Sequence, residues 1–186
     1  EKTKIAENLI HDMKAMFNET DSGYAISVVV VGALMAASTG IVGASVVTLG
    51  LLTFPVLVKN GYSPSLASGT ICASGTLGQV IPPSLVLILL ADVLSSSYQQ
   101  AQLNMGVFSP ETITIADLFV GAILPGLILP LLYIVYLKTL KIKSIEKINK
   151  NKFNLFNIIY PLGLMFIVLG SIIFGVATPS EAAGIG

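Results

Sequence analysis

Residues 74–84 read Ser-Gly-Thr-Leu-Gly-Gln-Val-Ile-Pro-Pro-Ser and interrupt an otherwise apolar segment that runs from Ser65 to Leu94. Two glycines three positions apart, followed by two prolines, cannot sustain a regular helix, because each proline removes a hydrogen-bond donor and clashes with the preceding turn. The segment exceeds the about 20 residues that a membrane-crossing helix needs. We therefore predict a broken transmembrane helix over residues 59–94.

A second interruption lies just before it, in the uncharged stretch 24–58. This stretch is too long for one span of about 20 residues and short for two spans plus a turn. Its middle, residues 37–48, is rich in glycine, serine and threonine, which favour a break. Two half-helices of about 15 residues would each rise about 22 Å, less than the roughly 30 Å of the hydrocarbon core. We predict a re-entrant hairpin over residues 24–58; two full spans remain an alternative that only length disfavours.

The flanking segments complete an all-α polytopic pattern. Apolar residues recur every three or four positions in residues 1–23, which predicts an amphipathic arm helix at the membrane interface, with a soluble core-facing helix as the alternative. The remaining predicted segments are a polar periplasmic loop, a transmembrane helix, a basic cytoplasmic loop and another transmembrane helix, at residues 95–112, 113–137, 138–152 and 153–177.

The lysines support re-entry. Cytoplasmic loops carry the excess of positive charge. If residues 24–58 return to the side from which they entered, all ten lysines share one face, and Asp92, Glu111 and Asp117 lie on the other. A single crossing would leave Lys59 and the 138–152 cluster opposite the three N-terminal lysines. A chain that does not begin with Met and stops at Gly186 inside an apolar stretch is interpreted as a piece of a longer multi-pass protein.

Composition excludes several classes of protein. The 186 residues are 54% hydrophobic and 11% charged, against about 25% charged in soluble domains. The net charge is zero and no arginine occurs, so nothing points to nucleic acid. A lone cysteine, Cys72, and a lone histidine, His11, argue against disulfides, multi-cysteine metal sites and histidine-based catalysis. We expect membrane lipid as the surrounding solvent, no cofactor and no catalytic residues.

Interrupted helices can themselves form ion-binding sites. Unpaired backbone inside a membrane is tolerated only where protein buries it or where it lines a cavity. Freed carbonyls and hydroxyls are suitable ligands for a small alkali cation, and freed N–H groups at a half-helix N-terminus attract an anion. The alternative is that the glycines only allow close helix packing and the prolines only kink.

Several motifs, in order, resemble the large permease subunit of tripartite ATP-independent periplasmic (TRAP) transporters. The most specific is the block from Gly75 to Ser84 (Gly-Thr-Leu-Gly-x-x-Ile-Pro-Pro-Ser). Weaker matches precede and follow it at residues 43–48, 55, 59–62, 118–126 and 178–183. The resemblance covers nearly the whole chain and implies half of an inverted-repeat elevator-type transporter, with residues 178–186 beginning a second repeat.

The resemblance also implies function. It indicates sodium-coupled import of an organic acid, such as a C4-dicarboxylate, across the bacterial inner membrane, with Na⁺ as the coupling ion. The implied partners are a periplasmic solute-binding protein and a small four-helix membrane subunit. Carried over by position, the expected sodium ligands are Gly43, Ser45, Gly75, Thr76 and Gly78. The residues expected near the substrate are Ala44, Pro82, Pro83 and Ser84.

Alternative interpretations remain open for Ser45 and for the class of the whole chain. The Ser45 hydroxyl can instead donate to a carbonyl one turn earlier, and Ser84 is expected to cap the helix after the break. The chain could belong to another inverted-repeat anion/sodium symporter family, or be a structural membrane subunit without an ion site. The residues do not identify the substrate.

Overall fold

The computed structural model describes residues 22–39, 41–140 and 156–177. The parts of the chain that it describes contain α-helices, one short 3₁₀ turn and no strand, which confirms the predicted all-α fold. Most of the predicted arm helix (1–23), the basic loop after residue 140 and the start of a second repeat (178–186) lie outside the described residues.

Six helices follow one another along the described chain. In order, α1 to α6 are Gly23–Thr39, Val42–Lys59, Pro64–Thr76, Leu85–Asn104, Ile115–Thr139 and Phe156–Ile173. The 3₁₀ turn Leu77–Gln79 directly follows α3. α1 lies at the centre of the main core, since its side chains from Ala25 to Val29 and at Val31 are almost fully buried against α2, α3 and α5.

α1 and α2 form a helical hairpin. The Ala25 N–H at the start of α1 donates to the Tyr62 hydroxyl, just beyond the end of α2, at 3.4 Å. The Ser22 hydroxyl donates to the Leu137 carbonyl near the end of α5, at 2.7 Å. The start of α1 and the ends of α2 and α5 therefore meet at one end of the molecule, which we call the lysine end because Lys59 and Lys138 lie there.

The hairpin is shorter than the helix beside it. α1 and α2 have 17 and 18 residues, which corresponds to about 26 and 27 Å of rise. α5 has 25 residues and rises about 37 Å. Because all three helices share the lysine end, the hairpin tip lies about 10 Å short of the other end of α5, which we call the distal end.

Two helices, Val42–Lys59 and Ile115–Thr139, are long and apolar enough to cross a membrane by length and composition, among the residues that the structure describes. Only 22% and 17% of their apolar windows are buried within the chain. The exposed remainder includes Leu51, Leu124 and Leu131. Such a surface is suited to lipid or to further protein rather than water.

The helix break at the hairpin tip covers fewer residues than the sequence indicates. The composition of residues 37–48 favours a break throughout, but α2 begins at Val42 and already includes Gly43, Ala44 and Ser45. Ser45 is accommodated within this helix, because its hydroxyl donates to the Ile41 carbonyl at 3.0 Å and so finds an acceptor one turn earlier.

The segment 95–112, predicted as a loop, is helical up to Asn104. No glycine or proline interrupts residues 85–104, and α4 ends only where Gly106 adopts a φ of 82°. Asp92 consequently lies inside α4 and not at its end, although its side chain is exposed. The buried Gln102 closes the following turn, since its amide contacts the Glu111 backbone at 2.9 and 3.2 Å.

Candidate ion and substrate site

The break between α3 and α4 is built by its own backbone and by one serine. The N–H groups of Val80 and Ile81 both donate to the Leu77 carbonyl, at 3.0 and 2.8 Å, and the regular helical pattern stops there. Pro82 and Pro83 follow. The chain becomes helical again only at Leu85.

Ser84 connects the two sides of this break. Its hydroxyl donates to the Gln79 carbonyl at 2.9 Å and accepts from the Leu87 N–H at 3.4 Å. The predicted capping role of Ser84 is thereby confirmed. Ser84 and Pro82 are both buried, so the break is an enclosed part of the protein and not a surface loop.

Glycines bring three helices into direct contact at the break. A Cβ on Gly75 would overlap the Val46 side chain and come within 3.0 Å of the Val46 Cα. A Cβ on Gly126 of α5 would lie 3.3 Å from the Ile81 Cα. α2 and α5 thus approach the break through glycines that leave no room for a side chain.

A third glycine fixes α1 against α3. A Cβ on Gly32 would lie 2.5 Å from the Ser74 Cβ and 3.1 Å from the Leu49 Cδ1. Sequence reasoning assigned no packing contact to Gly32, Ser74 or Gly126, although Ser74 and Gly126 lie in the segments 74–84 and 118–126 that it singled out. For Gly32, a small residue in an apolar helix is the only signal, and many other positions share it.

The structure divides the predicted sodium ligands into two groups. Ser45, Gly75 and Gly78 are buried, whereas Gly43 and Thr76 are exposed. The contact between Gly75 and Val46 joins the end of α3 to the turn of α2 that contains Ser45. The Thr76 hydroxyl donates to the Ala73 carbonyl at 2.8 Å. A hydroxyl that donates its proton to a carbonyl keeps oxygen lone pairs for another partner, so these bonds are compatible with either role of Ser45 and Thr76.

The predicted substrate residues are also distributed around the break. Ala44 is exposed in the first turn of α2, Pro83 is half-buried, and Pro82 and Ser84 are buried. The N-cap of α2, Ile41, makes no side-chain capping bond. α2 begins at Val42, one turn before the Val46 that contacts Gly75, and α4 begins directly after the break. The N-termini of α2 and α4 therefore both lie near the end of α3.

Among the described residues, the break itself carries no charged side chain. The charged residues in the described ranges are Lys59, Asp92, Glu111, Asp117 and Lys138, and none lies within residues 74–84. The described residues include no group of three or more His, Cys, Asp or Glu that could hold a metal. A cation at the break would therefore bind neutral oxygens near the negative C-terminus of α3, and an anion would meet the positive N-termini of α2 and α4.

A helical hairpin packed against a discontinuous helix, in an apolar all-α chain, is the architecture of a membrane transporter. Residues 1–186 match the family model described as "Tripartite ATP-independent periplasmic transporter, DctM component". The chain belongs to this family, which comprises transporters and not enzymes. This membership confirms the resemblance to TRAP large permease subunits.

Curated relatives agree with the family. The chain is 32% identical to the C4-dicarboxylate TRAP transporter large permease protein DctM of Vibrio cholerae, over 97% of this chain and 38% of the relative. It is 29% identical to the protein of the same name from Pseudomonas aeruginosa, over 97% and 40%. It is 27% identical to the ectoine TRAP transporter large permease protein TeaC of Halomonas elongata, over 96% and 39%. The chain spans about two fifths of the length of these relatives. No solved structure matches it.

Proposed function

We propose that this chain is part of the large permease subunit of a TRAP transporter that imports an organic acid across the bacterial inner membrane, driven by Na⁺. The observation that carries the proposal is the contact between Gly75 and Val46, which joins a helix break to the start of the second hairpin arm. Dipoles of both signs converge at this contact, where the described chain has no charged side chain.

The proposal assigns Na⁺ to the neutral oxygens around Gly43, Ser45, Gly75, Thr76 and Gly78. It assigns the carboxylate of the substrate to the region of Ala44, Pro82, Pro83 and Ser84. A C4-dicarboxylate is the proposed substrate because the relatives from V. cholerae and P. aeruginosa are named for it. The relative from H. elongata is named for ectoine, so family membership alone does not fix the substrate.

The proposed partners are a periplasmic solute-binding protein and a small four-helix membrane subunit. Family membership supports this assembly. Substrate delivered by a binding protein also agrees with the lack of cationic side chains at the break, because selectivity then rests partly outside the membrane subunit.

A matched pair of hydroxyl substitutions tests the sodium assignment. Ser45 and Thr53 are both 1% exposed in α2, and each donates to the carbonyl four residues earlier, at 3.0 and 2.7 Å. Only Ser45 lies beside the break. In the full-length protein, Ser45→Ala is expected to raise the Na⁺ concentration for half-maximal uptake about ten-fold, the effect of losing about 1.4 kcal/mol of binding. Thr53→Ala is expected to leave it unchanged.

The measurement is uptake of labelled succinate into proteoliposomes that contain the full-length permease, its small subunit and the binding protein. Uptake that does not depend on the Na⁺ gradient in the wild type would refute sodium coupling. Equal Na⁺ dependence of Ser45→Ala and Thr53→Ala would show that Ser45 only bonds to its helix. If the wild type takes up no succinate at any Na⁺ concentration, the C4-dicarboxylate assignment is wrong.

A further inference from the structure

An apolar surface lies where α4 runs into the loop that leads to α5. Phe108 is 98% exposed and Met105 is 73% exposed, while Leu103 and Val107 are 51% and 41% exposed. Single exposed apolar residues are common on protein surfaces, but these four lie close together between residues 103 and 108 and form a patch. Phenylalanine and methionine are also among the residues that are enriched at protein interfaces. We call these four residues the distal patch.

One buried glutamine fixes the conformation of the loop that carries the distal patch. The Gln102 carbonyl accepts from the N–H groups of Met105 and Val107, at 3.1 and 3.0 Å. The Gln102 side chain donates to the Glu111 carbonyl at 3.2 Å and accepts from the Glu111 N–H at 2.9 Å. The backbone around Phe108 is therefore ordered in advance, and a surface that is ordered in advance loses less conformational entropy when it binds.

The charged residues next to the distal patch, in the part of the chain that the structure describes, are acidic. Glu111 is exposed and follows Phe108 by three positions, and Asp117 is exposed in the first turn of α5. No lysine occurs between residues 60 and 137. Attachment of apolar residues to a membrane surface is strengthened by lysine or arginine beside them. The patch is therefore better suited to a protein that offers basic side chains around an apolar pocket.

We propose that the distal patch is a docking surface for the periplasmic solute-binding protein, with Phe108 in an apolar pocket of that protein and Glu111 facing one of its basic side chains. This inference rests on the proposed function, which supplies the binding protein as a partner. It adds the surface of contact, which shares no residue with the predicted ion and substrate positions.

The height of the distal patch favours a water-soluble partner over lipid. Leu87 and Ile88 of α4 pack against the apolar cluster formed by α5 and α6, and a dense run of exposed apolar residues on α4 ends at Leu94. From Leu94 to Asn104, α4 rises about 15 Å, or about 11 Å along the membrane normal at a tilt of about 40°. The headgroup layer adds only about 5–8 Å on each side of the hydrocarbon. The loop that follows Asn104 therefore lies beyond the headgroups.

Truncation of the exposed aromatic side chain tests the docking surface directly. The full-length permease with its small subunit, in lipid nanodiscs, is titrated with fluorescently labelled binding protein, with and without succinate and with no Na⁺ gradient. Phe108→Ala is expected to raise the dissociation constant at least about ten-fold, as loss of an interface anchor does. Phe166 is 65% exposed but lies in α6, so Phe166→Ala is the matched control and should bind as the wild type does.

Reversal of the neighbouring charge tests the basic character of the partner. Glu111→Lys is expected to weaken binding about five-fold at about 0.05 M salt and less than about two-fold at about 0.5 M, because salt screens exposed charges. Equal effects at both salt concentrations, or no effect, would contradict the assigned charge pairing.

The inference is overturned if the wild type does not bind the binding protein, or if Phe108→Ala binds as tightly as Phe166→Ala. It is also overturned if a maleimide cannot label Phe108→Cys in the full-length protein, because further chain would then cover the patch. Binding that Phe108→Ala weakens, together with a lack of Na⁺-driven uptake in the wild type, would support the docking surface and refute the proposed sodium-coupled transport.

Discussion

Single glycines determine how closely the hairpin approaches the broken helix. A methyl group on Gly75 would meet the Val46 Cα at 3.0 Å and the Val46 N at 3.1 Å, and these backbone atoms cannot rotate away as a side chain could. We therefore expect Gly75→Ala to destabilise the full-length protein by about 1–3 kcal/mol, as overpacking does. Uptake should fall as well, because α2 must move away from the break. The melting temperature of the purified protein and its uptake rate measure the two effects.

The direction of the change in stability distinguishes overpacking from the ordinary effect of a glycine-to-alanine substitution. Alanine in place of a helical glycine normally stabilises, by roughly 0.5–1 kcal/mol. Gly121, where an added Cβ meets nothing within 4 Å, should follow that rule, so Gly121→Ala is expected to melt at or above the wild-type temperature. If Gly75→Ala behaved in the same way, the close approach of α2 and α3 would not exist in the full-length protein.

At the scale of whole helices, the prolines of the break are expected to keep α3 and α4 separate. A proline inside a helix costs about 3 kcal/mol, so Pro82 and Pro83 together strongly disfavour a continuous helix from Pro64 to Asn104. We expect the double substitution Pro82→Ala and Pro83→Ala to lower uptake at least about ten-fold at equal membrane expression. Uptake normalised to the amount of protein in the membrane provides the measurement.

Pro55 supplies the control for this substitution. It lies inside α2, which continues through it, and its side chain is exposed. Pro55→Ala should therefore leave uptake near the wild-type rate. Wild-type uptake by the Pro82/Pro83 double variant would mean that the prolines are not needed to maintain the break, and that the packing of Gly75 and Gly126 suffices.

The elements differ in how well the sequence predicts them. The break at residues 77–84 is predictable because two prolines override every other local preference. The hairpin tip is predictable only roughly. Glycine, serine and threonine permit a break but do not require one, and the Ser45 hydroxyl bonds within α2. The polarity of residues 95–104 is typical of a loop, but no glycine or proline occurs among them, so α4 continues to Asn104.

The residues of the candidate site also differ in how well the sequence predicts their roles. Ser84 is predictable as a cap because it directly precedes an apolar helical run. The contacts of Gly32, Gly75 and Gly126 are not, since they depend on which helices become neighbours and at what height. Local sequence carries no such information. The ligand roles of Ser45 and Thr76 remain predictions until Na⁺ dependence is measured.

At the scale of the molecule, the two ends carry opposite charge. Lys59 and Lys138 lie at one end, joined there by the contacts of Ser22 with Leu137 and of Ala25 with Tyr62. The loop that contains Phe108, which is 98% exposed, lies at the other end, between α4 and α5. Because positive loops face the cytoplasm, the hairpin should return to the cytoplasmic side and the loop should face the periplasm.

Single cysteines test this orientation in the full-length protein, in a cysteine-free background that includes Cys72→Ser. A membrane-impermeant maleimide added to intact spheroplasts is expected to label Phe108→Cys and to leave Lys14→Cys, Lys59→Cys and Lys138→Cys unlabelled until the membrane is permeabilised. The comparison of Lys14→Cys with Lys59→Cys is the critical one, because these two positions flank residues 24–58 in the sequence. Two crossings by residues 24–58, or none, put both positions on one side. Labelling of one but not the other in intact spheroplasts would show that residues 24–58 cross once, and the re-entrant hairpin would then be wrong.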